Sequence, residues 1–160
     1  MDITRRSDYA LRILRAAYKN GEQYSSMAEI AEAENVPYAF ARSIQHDLAK
    51  AGLIKTARGA HGGLVLSCEP SKITMLDLLH AIQGPVYVSH CTVEPESCVF
   101  SEHCLYHQLW RGADSVLNQY FESVTLEDLF NQGENHPVIR KALDDYPASA
   151  VAYLQHEGQE

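Results

Sequence analysis

Apolar residues recur at helical spacing near the start of the chain. Residues 4–18 carry one apolar face of a predicted helix, formed by Tyr9, Ala10, Ile13, Leu14, Ala17 and Tyr18. The dipeptide Asn20-Gly21 ends this helix, because glycine accepts the left-handed backbone of a helix C-terminus. Ser26 and Glu29 then fit a capping box, in which each side chain satisfies a free backbone donor. A second, short helix is therefore predicted to begin at Ser26.

A third helix is predicted after the turn at Asn35-Val36-Pro37. It covers residues 38–50, and Gly52 closes it. The spacing indicates that Phe40, Ile44, Leu48 and Ala51 face inward. The exposed face of the helix then carries Tyr38, Ala39, Arg42, Ser43 and His46.

Residues 53–66 change to the pattern of a β-hairpin. The apolar segments LIKTA and LVL flank a glycine-rich tip, RGAHGG. Two helices across a tight turn, followed by such a hairpin, predict a winged helix-turn-helix domain over residues 1–84. A small α+β domain with the same pattern used only for packing is the alternative. The expected fold class is mainly α with a small β wing.

The wing and the third helix supply the candidate DNA contacts. Glycines at the wing tip allow a close backbone approach to DNA, and Arg58 and His61 are positioned to enter a minor groove. Arg42 is the best candidate for base readout, because arginine binds guanine bidentately. A solvated or phosphate-contacting role for Arg42 is the alternative.

The second half of the chain predicts a dimerisation helix. Thr74 and Asp77 form a second capping box, opening a helix that stops at Gly84-Pro85. Residues 104–130 hold a long helix and a short closing helix capped at Thr125. The apolar stripe of the long helix is too long for a small core to cover, which predicts a homodimer on a palindromic double-stranded operator. Its members are Leu105, Leu109, Ala113, Val116, Leu117, Tyr120, Phe121 and Val124.

Length and charge set limits on these predictions. A chain of 160 residues that is 46% hydrophobic can bury one core, here with an appended arm. The net charge of −8 is uneven: residues 1–66 carry nine Lys and Arg against seven Asp and Glu, and residues 67–160 carry four against fourteen. An acidic protein of this kind can still bind DNA through its N-terminal half. The polar, acidic tail over residues 131–160 shows patterns of short helices around residues 138–143 and 148–154, and it is assigned no chemistry.

Several functional classes are not supported. No apolar run approaches the roughly 18 to 20 residues of a membrane span. The N-terminus MDITRRSDYA lacks the apolar core of a signal peptide, so a cytoplasmic protein is expected. The chain also lacks a phosphate-binding glycine motif between a strand and a helix, and nothing in it supports catalysis. We therefore expect a protein that is not an enzyme and does not bind membranes.

The strongest chemical signal is the loop over residues 85–103, together with the start of the long helix. Cys91, Cys98 and Cys104 are spaced C-x6-C-x5-C, and His107 follows three residues later. In a reducing cytosol clustered thiols act as ligands more often than as disulfides. From the residues alone, an iron–sulfur cluster and a Cys3His zinc site are equally supported. A loop that binds nothing and acts as a thiol redox switch is a further alternative.

The order of these motifs resembles a known family. The segments ITRRSDYALRIL, ARGAHGGLVL, ITMLDLLHAIQG, CLYHQLW and TLEDLF, with the three-cysteine loop, look like the IscR and NsrR winged-helix regulators, the Rrf-two superfamily. The resemblance covers residues 1 to about 130. It implies a dimeric bacterial transcription factor whose iron–sulfur cluster tunes DNA binding.

The resemblance also implies a ligand set. Cys91, Cys98 and Cys104 would be the three thiolate ligands. In IscR-like members with a 2Fe–2S cluster, a histidine at the position of His107 completes the set. In NsrR-like members with a 4Fe–4S cluster that senses nitric oxide, an aspartate of the other subunit, at the position of Asp8, completes it. Six residues separate Cys91 from Cys98 here, where those members commonly have five.

We therefore expect a DNA-binding repressor that senses nitric oxide, redox state or iron–sulfur status. The alternative is a zinc-stabilised or thiol-switch regulator, or an interaction module, without a cluster. Cys68 lies outside the loop spacing and is expected to be a core or edge residue.

Overall fold

A computed structural model gives the fold and describes residues 2–59, 62–100 and 103–146. Helices and strands in these ranges follow the order α1 (Arg5–Lys19), α2 (Met27–Ala33), α3 (Tyr38–Lys50), β1 (Ile54–Ala57), β2 (Gly63–Leu66), α4 (Met75–Gln83), α5 (Leu105–Glu122), α6 (Leu126–Gln132) and α7 (Pro137–Asp145). Short 3-10 turns lie at Pro70–Lys72, His90–Thr92, Pro95–Ser97 and Gly133–Asn135. The mainly α fold with a small β wing is thus confirmed.

Helix α1 lies at the centre of the core. Its predicted apolar face is confirmed, since Ala10, Ile13, Leu14 and Ala17 are buried. The helix begins at Thr4, whose side chain accepts a hydrogen bond from the backbone of Ser7. Helices α3 and α4 and strand β2 all pack against it.

Helices α2 and α3 form the helix-turn-helix. The turn between them is closed by a 2.8 Å hydrogen bond from the backbone of Val36 to Ala31. The predicted capping box at Ser26 is only half right. Ser26 does cap α2, but its hydroxyl accepts from the backbone of Ala28 rather than from that of Glu29.

The inward face predicted for α3 needs a correction. Ile44 and Leu48 are buried as expected, but the third buried residue is Ala41. Phe40 is 52% exposed, because it lies at the edge of the buried face, where its ring contacts Tyr9 edge-on with 6.1 Å between centroids. Ala51 is exposed because it is the C-cap of α3.

The wing is a two-stranded antiparallel sheet. Ile54 pairs with Leu66 and Ala57 with Gly63. On its other side β2 meets Ser25, since Leu64 and Ser25 exchange two backbone hydrogen bonds of 2.9 Å.

The wing glycines have a role inside the protein itself. A Cβ on Gly63 would lie 2.2 Å from the carbonyl oxygen of Ser25, and the φ of Gly63 is +151°. A Cβ on Gly62 would lie 2.4 Å from the carbonyl oxygen of Ala57. Close internal packing therefore explains these two glycines without DNA.

Helix α6 returns the chain to the winged domain. Both predicted capping boxes, Thr74 with Asp77 and Thr125 with Asp128, are confirmed. The two helix starts are joined by backbone hydrogen bonds, and Leu126 enters the core cluster of α1 and α3 with 1% of its surface exposed. The chain therefore leaves the winged domain after α4 and returns to it at the start of α6, with the cysteine loop and α5 between these two points.

The apolar residues of α5 divide into two faces rather than one stripe. Leu105, Leu109 and Val116 are 86%, 59% and 68% exposed. Leu117 and Phe121 are partly buried on the opposite side. The exposed face is the unpartnered surface that the sequence predicted, although it holds fewer residues.

Helix α7 confirms a short helix in the tail. A second one around residues 148–154 was considered from the sequence and lies outside the described residues. Within the ranges that the structure describes, no helix has the length and apolar character needed to cross a bilayer.

Candidate DNA interface and cysteine centre

The candidate reading face lies on α3. Its five predicted contact residues, Tyr38, Ala39, Arg42, Ser43 and His46, are all exposed. Arg58 is also exposed at the end of β1, beside Gly59 with its φ of +108°. His61, the remaining predicted contact, lies outside the described residues. Helix and wing thus present two groups of candidate contacts.

The N-terminus of α3 adds backbone donors to this face. Pro37 caps the helix without a side-chain hydrogen bond. The first-turn N–H groups have no intrahelical acceptors, and they lie at the positive end of the helix dipole. Such a terminus favours a phosphate group.

Arg6 is a polar contact to the reading helix that the sequence analysis missed. Its guanidinium donates to Asp47 through Nε, at 3.1 Å, and through Nη2. Nη2 also donates to Oγ of Ser43 at 3.0 Å. Arg6 and Asp47 are 41 positions apart, so no local pattern links them.

The first residues of the cysteine loop run along α5. The backbone N–H of Val88 donates to Asp114 at 2.6 Å, and the side chain of Asn118 donates to the carbonyl of Val86 at 3.2 Å. From Val86 to Val88 the partner on α5 moves back by four residues, so the two segments are antiparallel. Two extended residues and four helical residues both advance about 6 Å, so the contacts stay in register. The turn that contains Cys91 packs against α5 and is carried toward its N-terminal end.

The loop thiols are free and accessible. Cys91, Cys98 and Cys104 are each partly buried, and none forms a disulfide. The Sγ atom of Cys91 lies 3.4 Å from the hydroxyl of Ser89, and Cys104 is the N-cap of α5. Among the residues described, no three His, Cys, Asp or Glu side chains converge closely enough to hold one metal ion. The structure therefore does not gather the predicted ligands into a closed site.

His107 is the ligand candidate with the most unusual surroundings. It lies in the first turn of α5 and is 7% exposed. Its Nδ1 atom is buried and has no hydrogen-bond partner among the described residues. Leaving such an atom unpaired costs about 1–3 kcal/mol. An acceptor of its proton, or a metal, would remove that cost.

Asp8, the other candidate, lies on the first turn of α1. Its carboxylate accepts from Arg12 at 2.9 Å, and its side chain is half exposed. It lines a groove of about 360 Å³ with Leu11, Arg12, Arg15, Leu129 and Phe130. The walls of this groove come from α1 and α6 rather than from the cysteine loop.

Cys68 is a core-edge residue, as the sequence predicted, and two further histidines of the loop lie at the surface. Cys68 packs against the core cluster, and burial raises the pKa of its thiol, which disfavours the thiolate. His103 is exposed, and His90 pairs with Glu94 at 3.0 Å on the surface.

The family now follows from the match along the chain. Residues 3–132 match the model of the Rrf2 family, described as an iron-dependent transcriptional regulator. The chain belongs to the Rrf2 family. The protein is accordingly a winged-helix transcriptional regulator that binds DNA.

The relatives of the chain include the regulators CymR and IscR. The Rrf2 chain is 32% identical over 137 residues to the HTH-type transcriptional regulator CymR of Bacillus subtilis, covering 84% of this chain and 94% of CymR. It is 28% identical over 135 residues to the regulator IscR of Photorhabdus laumondii, covering 84% and 82%.

Solved structures of CymR share the fold. The B. subtilis protein, named the global cysteine regulator, superposes with a TM-score of 0.65 and 27% identity over 81% of this chain and 96% of that one. The oxidized form of Staphylococcus aureus CymR gives 0.66 and 26% over 82% and 97%.

Proposed function

We propose that this Rrf2 regulator is a cytoplasmic repressor that senses nitric oxide, redox state or iron–sulfur status through a cluster held by Cys91, Cys98 and Cys104. The observation that carries the proposal is the buried Nδ1 of His107, which has no hydrogen-bond partner among the described residues. It lies at the N-terminal end of α5, toward which Cys91 is carried. Three soft thiolates and one imidazole form a donor set that iron–sulfur clusters accept.

The donor set fits a cluster, although the loop must close to bring its members together. A bound cluster would supply an iron atom that nitric oxide, oxygen or a thiol can attack. Cys104 and His107 would hold it at the first turn of α5, and Cys91 and Cys98 would hold it from the loop. Ligation by these residues would fix the start of α5 relative to the preceding chain.

Helix α5 would connect this site to DNA through a homodimer. Leu105, Leu109 and Val116 form an exposed apolar face that a second copy can bury. A C2 dimer would direct two α3 helices at successive half-sites of a palindromic operator. Changing the start of α5 would then change the spacing of the two reading helices.

Asp8 offers a second way to complete the site. Its groove lies on α1 and α6, so ligation by Asp8 would use the cysteine loop of a second copy. The ion pair with Arg12 would have to open first. The family resemblance links the two candidates for the fourth ligand to different clusters, 2Fe–2S for His107 and 4Fe–4S for Asp8.

The proposal is tested by anaerobic purification. We expect a coloured protein with visible charge-transfer absorption and with iron and acid-labile sulfide in similar amounts. A colourless protein with one zinc ion per chain would instead establish the Cys3His zinc site.

The fourth ligand is tested by His107→Ala and Asp8→Ala. The variant that removes the true fourth ligand should have a changed visible spectrum and should lose its cluster faster in air. The variant of the residue that is not a ligand should match wild type. His103→Ala, an exposed loop histidine, is the matched control. Equal behaviour of both variants and wild type would exclude both ligands.

A thiol switch without a cluster is the second candidate. The free, partly buried thiols favour it, as does the likeness to an oxidized form of CymR. It predicts a colourless, zinc-free protein whose DNA affinity falls with hydrogen peroxide and returns with dithiothreitol.

A further inference from the structure

Gln83 ties the root of the cysteine loop to the start of α1. It is the last residue of α4, directly before the Gly84 turn. Its Oε1 atom accepts from the hydroxyl of Ser7 at 2.7 Å and from the backbone and hydroxyl of Thr4 at 3.1 and 3.3 Å. Its Nε2 atom donates to the carbonyl of Asp2 at 3.3 Å. Both ends of the amide are therefore engaged.

Ser7 makes this link costly to break. It is fully buried, and its hydroxyl contacts only Gln83 and Thr4 among the polar groups described. A buried hydroxyl that loses its partner keeps the full cost of its desolvation. The first turn of α1 should therefore follow Gln83 when the loop root moves.

The neighbouring residue makes the next link. Arg6 precedes Ser7 on the same turn and donates to Asp47 and Ser43 of α3. These bonds hold the reading helix against α1, and they neutralise a carboxylate that would otherwise repel DNA phosphates. Ser43 is itself one of the candidate DNA contacts on the exposed face of α3.

We propose that Gln83 and Arg6 are positioning residues that transmit the state of the cysteine loop to the reading helix α3 through the first turn of α1. The path runs from Gly84 through Gln83 to Ser7, and from Arg6 to Asp47. It consists of hydrogen bonds across a rigid helical turn, so a shift at one end displaces the other. The sensing part rests on the proposed function; the mechanical link does not.

Arg6 could instead contact a phosphate directly, and lysine separates these roles. Arg6→Lys keeps the positive charge but loses the planar fork that reaches Asp47 and Ser43 together. A positioning role predicts a loss of DNA affinity in Arg6→Lys of about tenfold, of the order that side-chain networks carry. Affinity equal to wild type would overturn the assigned role.

The link is tested by a double-mutant cycle on cluster-free full-length protein. The variants are Gln83→Met, Arg6→Lys and the pair, with binding measured to a duplex that the wild type selects from a random pool. We expect the double variant to lose at least about fivefold less affinity than the product of the single losses. Independent losses that multiply would overturn the link. Gln132→Met is the matched control, since among the described residues the Gln132 amide bonds to Asp128 within α6.

The sensing part is tested by the same variants with the cluster reconstituted from iron and sulfide. Wild type should change its DNA affinity on reconstitution, and Gln83→Met should reduce that change at least about fivefold at unaltered cluster content. A full response in Gln83→Met would overturn the relay. No response in wild type would overturn the proposed sensor, and the cycle would still decide the mechanical link.

Discussion

The winged-helix half of the chain is closed within one molecule, whereas the half that holds the cysteine loop and α5 is open. In the first half Ile13, Leu14 and Ile44 are fully buried around α1 and α3. In the second half α5 exposes Leu105, and a ring nitrogen of His107 has no partner in the part of the chain that the structure describes. A closed core resists perturbation, and an open segment can be completed by a ligand or a second copy. The proposed cluster would therefore act in the open half of the chain.

The largest effect should follow from opening the closed half. Leu14→Ala removes a fully buried side chain from the centre of α1. We expect the free energy of unfolding to fall by about 2–5 kcal/mol, because the variant loses transfer energy and leaves a cavity. Urea denaturation with an unchanged m-value measures this loss.

Leu109→Ala, on the exposed face of α5, is the change in the open half that is compared with Leu14→Ala. At concentrations where the protein is monomeric, its stability should stay within about 0.5 kcal/mol of wild type. Self-association, measured by sedimentation, should weaken. Equal destabilisation of both variants in the monomer would show that α5 is buried within a single chain.

Glycine substitutions test the same difference between the two halves, with smaller expected changes in stability. Gly63→Ala should destabilise by about 1–3 kcal/mol, because its backbone is strained for an L-residue and its Cβ would meet the backbone of Ser25. Thermal unfolding of the wing domain measures this effect, and DNA affinity should fall with it.

Gly112→Ala provides the matched change in the open half. No atom of the described residues outside its own helix backbone lies within 4 Å of its added Cβ, and the residue is inside α5. Alanine should therefore stabilise the monomer by about 0.5–1 kcal/mol. Weaker self-association of this variant would indicate that two α5 helices approach closely at Gly112.

The sequence predicted local features well and long-range contacts poorly. The capping boxes at Thr74 and Thr125 were found because their partners lie three residues away. The face of α1 was found because one helix in a small core has one buried side. The periodicity of α5 did not separate Leu105 from Leu117, since apolar character does not say whether a neighbour covers a residue.

Contacts between distant elements left no sequence signal. Arg6 meets Asp47 across 41 positions, and Gln83 meets Ser7 across 76. These pairs depend on how the helices pack against one another. No pattern within a short stretch of sequence indicates that packing. The loop cysteines were visible by spacing, but the burial of the His107 ring could be found only from the structure.

The smallest effect concerns the joint between the two halves at the start of α6. The carboxylate of Asp128 accepts from the hydroxyl of Thr125 at 2.6 Å. This hydrogen bond lowers the pKa of Asp128 below its usual value, with a smaller electrostatic contribution from His136. A lowered carboxyl pKa adds stability above the unfolded-state value of about 3.9, and this stability is lost as the pH falls through the folded-state pKa.

Asp128→Asn should therefore lower the free energy of unfolding by about 1 kcal/mol or less at neutral pH, and the difference from wild type should shrink at acid pH. Glu127→Gln removes the same charge outside the box and is the control, so a difference for Asp128→Asn that stays constant from neutral to acid pH would contradict the assignment.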